Sequence, residues 1–354
     1  MGSLAVIAEK VSASVSITRD EALYLYQNAD NELLKHLSTL VKKRFHDPST
    51  PTYLIMAIVN YTNICVAKCD YCSFYRLPHQ PGGYLLSFEQ LSAKIDQLVA
   101  LGGTLVGFNG GFHPDLRIND YAILFQQLRN KYQKSLEFYE MTVAEFMFAC
   151  KRSKMPYREG VAHLKAHGTR WITGGGAEIL DDGFRRRHSP GKFSVTDYYA
   201  AQKEVLEGGV GSTATMVIGF DETLEERMNH LDSLRQFQAH TSPGLTSFLC
   251  WTYKPEGNAL GGEEISTSEY LRWLAICRIF LDNFVNIRTS VLTKNEDALL
   301  GLLYGANDFD LPTADEVTEK AGATIDLDFE RILNSVRRLG LSPQHRTPYA
   351  RGEH

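Results

Sequence analysis

The sequence predicts an α/β chain folded as a (β/α)8 TIM-type barrel with N-terminal helices and a C-terminal helical extension. Three observations carry this. Short apolar runs alternate with amphipathic stretches along residues 51–310. Polar or glycine-rich residues follow almost every apolar run, where parallel barrels place their functional groups. The chain has 354 residues, enough for one such barrel with additions at both ends. The organisation expected is a helical extension over 1–50, the barrel over 51–310, and a closing extension over 311–354. A six-strand partial barrel is the alternative.

The elements follow in order. Residues 19–47 read as helices. The first strand is the run Tyr53-Leu-Ile-Met-Ala-Ile-Val59. Ser87 caps a helix over 88–101 that keeps Leu91, Ile95 and Leu98 on one face. A strand over 104–108 and a helix over 117–131 come next, then a strand over 136–141 and helices over 143–153 and 157–167. The run 170–173 reads as the fourth strand and leads into Gly174-Gly175-Gly176. Helices over 179–187 and 195–207 precede a strand over 212–218. A helix over 223–239, a strand over 246–252, a helix over 267–282 and a strand over 285–290 continue the rhythm. A helix over 294–303 precedes a short eighth strand near 306–309. The tail carries one more helix signal at 326–338 and a polar end.

Bulk properties exclude several classes. Net charge is −5 with no lysine or arginine tract, so duplex nucleic acid is not an expected partner. No apolar run reaches membrane-spanning length, and the N-terminus lacks the basic start and apolar stretch of a secretory signal. Cytoplasm is the expected compartment, where thiols stay reduced.

The chemical signal is the loop after the first strand. Cys65, Cys69 and Cys72 stand there in a C-x3-C-x2-C spacing. Ferredoxin-type [4Fe–4S] sites use four cysteines. Three thiolates leave one iron open to a small molecule, which suits an activatable cofactor and radical chemistry. Structural zinc is the competing reading, with His79 or His113 as a fourth ligand. Six cysteines in this length are too sparse for a disulfide framework. Cys150, Cys250 and Cys277 read as packing thiols.

Each strand end adds candidates. Asn109-Gly110-Gly111 follows the second strand, and glycines there let main-chain groups approach a cofactor on the rim. Glu140 and Thr142 follow the third. Gly174, Gly175, Gly176 and Glu178 follow the fourth; the glycines free backbone amides, and Glu178 suits a ribose hydroxyl, a proton or a helix cap. Tyr71, beside the last cysteine, could pack on an adenine. Arg288 ends a buried strand and could clamp a substrate carboxylate. Arg76, Ser290, Asn307 and Asp308 complete the substrate-side candidates. His113 and His188 could move protons or serve structurally.

These stretches resemble the radical S-adenosylmethionine superfamily, and within it the group of futalosine-pathway menaquinone enzymes and deazaflavin (F420) cofactor synthases. The resemblance is carried by Asn60-Tyr-Thr-Asn-Ile-Cys-Val-Ala-Lys-Cys-Asp-Tyr-Cys-Ser-Phe-Tyr-Arg76, Gly174-Gly-Gly-Ala-Glu-Ile-Leu180, Ser212-Thr-Ala-Thr-Met216, Leu281-Asp-Asn-Phe-Val-Asn-Ile287 and Gly305-Ala-Asn-Asp308. It implies a barrel with a [4Fe–4S] cluster at its mouth and S-adenosyl-L-methionine on the open iron. It also implies a small-molecule substrate and a reductant such as flavodoxin or ferredoxin.

In the cyclase branch of the group, a 5′-deoxyadenosyl radical takes a sugar C4′ hydrogen from a dehypoxanthinyl futalosine. The carbon radical then closes onto a benzoate ring, which loses a proton and an electron. On this resemblance Arg288 or Arg76 would hold the carboxylate, and Glu178, Glu140 or Tyr139 would take the proton. Radical addition, deazaflavin-precursor synthesis, a paralogue on another nucleoside or aromatic compound, and a non-catalytic iron–sulfur or zinc scaffold are the alternatives. Four departures from the usual pattern bear on substrate: Asn109-Gly-Gly stands for Gln-Gly-Gly, the run Glu137–Thr142 lacks the usual histidine, Ser290-Val291 replaces an aromatic Trp, and Phe309-Asp310-Leu311-Pro312 replaces the small residues after Gly-Ala-Asn-Asp.

Overall fold

Seven parallel strands and one bridged segment curl into a ring in the computed structural model, which describes residues 3–133 and 135–348. The strands are β1 (Thr52–Val59), β2 (Leu105–Phe108), β3 (Glu137–Tyr139), β4 (Ala214–Ile218), β5 (Ser247–Thr252), β6 (Asn286–Ser290) and β7 (Asp308–Pro312). Hydrogen-bonded order runs β3-β2-β1-β7-β6-β5-β4. The segment 170–173 spans the gap between β3 and β4. Thr173 bridges Thr142, and Trp171 bridges Gly211. Its backbone also joins both neighbours, with Glu140 N donating to Trp171 O at 3.2 Å and Ile172 N to Gly211 O at 3.1 Å. The TIM-type barrel is therefore present with its fourth stave reduced to single bridges. The reason is local: Gly168 at φ 95° and the glycines from 174 leave too few extended residues for a ladder.

Other differences have similarly local causes. A helix over Leu4–Ser12, capped by Ser3, precedes the helices Arg19–Asn28 and Asn31–Lys42. The stretch after β6 is a helical turn Val291–Lys294 and then a 3-10 helix Asn295–Leu303, broken at Asn295 by a positive φ of 49°. The last barrel strand lies two residues later than expected and continues to Pro312. A two-residue strand, β8 (Gln344–His345), pairs parallel with the start of β1. Part of the polar chain end, 349–354, lies outside the described residues.

Apolar periodicity places the core. Helices such as Phe88–Ala100 bury Leu91, Ile95 and Leu98 against the outside of the sheet. Inside the ring, Leu54, Met56, Leu105, Tyr139 and Trp171 form a separate small cluster. Every strand carboxyl end opens to one face, so the loops that follow β1 to β7 surround a common mouth. Among the described residues no helix is long and apolar enough to cross a membrane.

Candidate active site at the barrel mouth

The cysteine loop leaves β1 at Val59 and is held from several sides. Asn60 donates from Nδ2 to Asn109 O at 2.9 Å and accepts at Oδ1 from Glu316 N at 2.7 Å. Gly111 lies directly under the loop; a Cβ there would stand 2.4 Å from Ile64 O and 2.7 Å from Cys65 Cβ. Gly191 is equally tight on the far side, 2.4 Å from Ala67 O by the same construction. His188 sits between Asp70 at 3.0 Å and Asp221 at 2.7 Å, so it pins the loop from the opposite rim.

The donor set fits an iron–sulfur cube. Cys65 Sγ accepts from Phe112 N at 3.2 Å and Ala67 N at 3.5 Å, the backbone donors an electron-rich thiolate uses. Burial pushes all three thiols up, Cys69 to about 11, so without a metal they stay protonated. Binding a cationic cluster reverses that preference. Among the described residues no three His, Cys, Asp or Glu converge as ligands of one ion do. A cube spreads its ligands over separate iron atoms and needs no such convergence. His113 accepts at Nδ1 from Asp115 N at 3.2 Å within its own turn.

A cavity of about 270 Å³ runs from Cys72 down the barrel, room for a small molecule rather than scattered waters. Its lining includes Tyr71, Ser73, Glu178, Ser247, Trp251 and Asp315. Each carries a buried polar atom without a hydrogen-bond partner. Buried polar groups are normally satisfied, and these six unmet atoms all belong to residues that line one cavity. Tyr71 packs against Phe184 and Phe220, with the Lys192 ammonium 5.5 Å from its ring centre. Lys192 also binds Glu178 Oε1 at 2.6 Å, leaving Oε2 unmet.

The other expected residues divide. Asn109, Gly175, Gly176, Tyr139 and Arg288 line the cavity. Gly110 and Gly111 serve packing: Gly110 accommodates the Tyr61 ring and Gly111 the cysteine loop. Gly174 packs on Thr213, and its carbonyl accepts from Tyr198 at 2.5 Å and Thr215 at 2.8 Å.

Glu140 does not reach the cavity. It is 1% exposed and ion-paired with Arg129 of the outer helix Ile118–Tyr132, because the residue after β3 points away from the ring. Arg76 donates to Tyr75 O at 2.8 Å and stays with its own loop. Ser290 caps the next turn through Leu292 N at 3.2 Å. Asn307 serves Arg278 and Ile287 N at 2.7 and 2.9 Å. Asp308 faces Thr52, Arg288 and Arg346. None of these five lines the cavity.

Several site residues escaped the sequence reading. Glu145 accepts from Gly110 N at 2.8 Å and from Tyr61 Oη at 2.5 Å, linking the glycine turn to the base of the cysteine loop. Its signal was the Thr142-x-x-Glu145 capping box. Asp315, Trp251 and Lys192 carry no local pattern, since only ring closure brings them to the cavity, whereas Asp310 lies in the departing stretch after Gly-Ala-Asn-Asp and does line it.

Comparisons agree with this geometry. Residues 59–234 match the family model described as "Radical SAM superfamily", and residues 242–351 match "CofH/MqnC C-terminal region". Cyclic dehypoxanthine futalosine synthase of Halalkalibacterium halodurans is 33% identical, covering 96% of this chain and 92% of that one. Aminodeoxyfutalosine synthase of Thermus thermophilus is also 33% identical, over 86% and 82% of the two chains. The 5-amino-6-(D-ribitylamino)uracil–L-tyrosine 4-hydroxyphenyl transferase of Methanococcus aeolicus is 29% identical over 95% and 96%. In fold the chain is similar to methylornithine synthase, with a TM-score of 0.71, 16% identity, and 95% and 97% of the two chains covered.

Proposed function

The chain belongs to the radical S-adenosylmethionine superfamily, in the group of futalosine-pathway and deazaflavin-precursor enzymes, and from that premise we propose that it is a carbon–carbon bond-forming cyclase acting on a dehypoxanthinyl-futalosine-like molecule, an aromatic ring joined to a sugar. The enzyme's cofactors are a [4Fe–4S] cluster and S-adenosyl-L-methionine, which together supply a 5′-deoxyadenosyl radical when reduced. Cys65, Cys69 and Cys72 would hold the cluster. The observation that carries the reading is the position of Cys72 on the wall of a cavity rich in unmet polar groups.

The protein's own residues do the rest. Tyr71, Phe220 and Trp251 give the upper cavity aromatic walls on which a flat base or ring can stack, and they keep water from the reacting carbons. Glu178, fixed by Lys192, presents one free oxygen to a sugar hydroxyl. Met56, Ile58 and Leu105 offer only apolar contacts along the opposite wall, which suits a substrate held in line before reaction. Asp315 is the best-placed proton acceptor for the ring: its Oδ1 is unmet, and burial pushes its carboxyl up to about 6. Glu178 is the second. An electron donor of the flavodoxin or ferredoxin type would meet the cysteine loop.

The test is product analysis. Anaerobically reconstituted protein, reduced in the presence of S-adenosylmethionine and dehypoxanthine futalosine, should release free 5′-deoxyadenosine and a cyclised product. An adenosyl group retained in the product would instead assign radical addition. Zinc without iron would leave only a scaffold role.

A further inference from the structure

The loop that carries Cys65, Cys69 and Cys72 has two outer flanks, and their charges differ in sign. On one flank lies the loop after β2, where Phe112 N donates to Cys65 Sγ and Phe112 O accepts from Val66 N, both at 3.2 Å. The Phe112 ring stacks on Phe148 at 4.8 Å and tilts against Phe193 at 6.1 Å. Phe148 and Phe193 are half-buried, so a partly open aromatic face is joined to the Cys65 sulfur through Phe112.

Cations surround that face. The Lys151 ammonium lies 5.8 Å from the Phe193 ring centre. Arg117 Nη1 and Arg152 Nε both donate to Pro114 O, at 2.9 and 2.7 Å, so two guanidiniums meet at one carbonyl. Lys68, between Cys65 and Cys69, is exposed and stands at φ 55°, a conformation that costs a lysine about 1–2 kcal/mol. Arg186 is exposed on the helix Asp182–His188, whose last residue binds Asp70 of the cysteine loop. Among the described residues none of these five side-chain charges is ion-paired.

The carboxylates on the same segments are Asp70, Asp115, Asp120, Glu145 and Asp182. Four are engaged: Asp70 by His188 at 3.0 Å, Asp120 by Arg117 N at 2.8 Å, Asp182 by Val195 N at 2.9 Å, and Glu145 by Gly110 N and Tyr61 Oη. Engaged and free charges taken alike, residues 65–72, 112–120, 143–154 and 182–193 hold nine lysines and arginines against five carboxylates, in a chain whose total is −5. The helix dipole favours cations at the ends of the helices Val143–Ser153 and Asp182–His188, but it accounts for neither Lys68 nor Arg117. The opposite flank of the loop carries the other sign. There Ala259 N and Leu260 N donate to Asp70 O at 2.9 and 3.0 Å, and their own loop exposes Glu256 and Glu263.

We infer that the Phe148–Phe193 face with its basic rim is the docking surface of an acidic one-electron carrier protein. This deepens the proposed function and rests on it, because radical formation needs an electron from outside the chain. The carrier loses one electron and the oxidised cluster gains it; no atom or proton changes hands. Apolar rings at the centre and charges at the rim suit a transient interface, and opposite charge steers the encounter. The acidic flank repels the same partner and so sets the side from which it approaches.

The experiment titrates holoenzyme, loaded with cluster and S-adenosylmethionine and kept unreduced, with an acidic flavodoxin by calorimetry at low and at high salt. Wild type should bind about tenfold more tightly at low salt. Lys151→Glu with Arg186→Glu should weaken low-salt binding about tenfold, with iron content unchanged. Glu256→Lys with Glu263→Lys, on the other flank, should not weaken it. Flavodoxin-driven release of 5′-deoxyadenosine should fall in the first pair, while release driven by titanium(III) citrate stays at the wild-type rate. Absent or salt-independent binding by wild type overturns the proposal without any variant. So does undiminished binding by the first pair, equal weakening by both pairs, or equal loss of release with both reductants. Titanium-driven release from wild type tests the radical reading by itself. Its absence, with the salt and variant effects as expected, sinks the radical reading alone, and release with no variant effect sinks the docking surface alone.

Discussion

The mouth and the floor of one barrel solve opposite problems. At the mouth, a loop of three cysteines is held by glycines that leave no room and by backbone donors aimed at sulfur. Its polar groups are left unmet where a ligand must enter. On the floor, the four charged side chains of Arg288, Asp308, Asp310 and Arg346 pair with one another in a single network. The mouth is built to gain a partner, while the charges of the floor are already paired among themselves. The difference teaches that one cavity can join a ligand-accepting end to an end whose charges are already paired.

The sharpest break in that comparison is Cys69→Ser. It should abolish cluster retention and cut 5′-deoxyadenosine formation by about a thousandfold or more, while the barrel still folds. Iron analysis and circular dichroism together check this. Loss of the far-ultraviolet signal along with iron would mean that the loop also supports the fold.

Next comes Arg288→Leu, which strands the Asp310 carboxylate in the floor and should destabilise the protein by about 3–5 kcal/mol. Adding Asp310→Leu should recover much of that loss, because Asp308 keeps Arg346. Chemical denaturation of the single and double variants measures it. Additive losses would show that the pair is not coupled.

The third effect is pH-dependent. Asp315 sits among Asn60, Thr318 and Glu319, and burial raises its carboxyl from 3.8 to about 6. Between these values the unfolded chain loses a proton that the folded chain keeps. Stability therefore falls as pH rises from about 4 to 6 and stays at the lower level above that. Asp315→Asn should remove this slope and leave the variant about 2–3 kcal/mol more stable relative to wild type at pH 7 than at pH 4. Thermal unfolding of both proteins across that window gives the answer, and parallel curves would sink the assignment.

The smallest expected change belongs to Arg76→Ala. Its guanidinium only braces carbonyls of the cysteine loop, so S-adenosylmethionine affinity should fall by about two- to fivefold with iron content unchanged. A loss of activity without a change in affinity would place Arg76 at the substrate instead.

Much of the mouth was legible because it is local. The C-x3-C-x2-C loop, the glycines behind it and Glu178 lie within short windows after recognisable strands. Glu140 misled for the same reason. Adjacency to a strand end does not say which way a side chain faces, and its partner Arg129 belongs to an outer helix. The substrate candidates Ser290, Asn307 and Asp308 misled in another way, since polar residues at strand ends also cap turns and stitch neighbouring strands.

The amino-acid order alone determined the alternation of strands and helices, the metal-binding loop and the family, because each is written in spacing over a few residues. Ring closure decided the rest. Whether Arg288 meets a substrate or an aspartate depends on the stagger between β6 and β7, and that stagger exists only once the first and last strands have paired. Electrostatics at such range depends on distance through space, which a linear chain does not record.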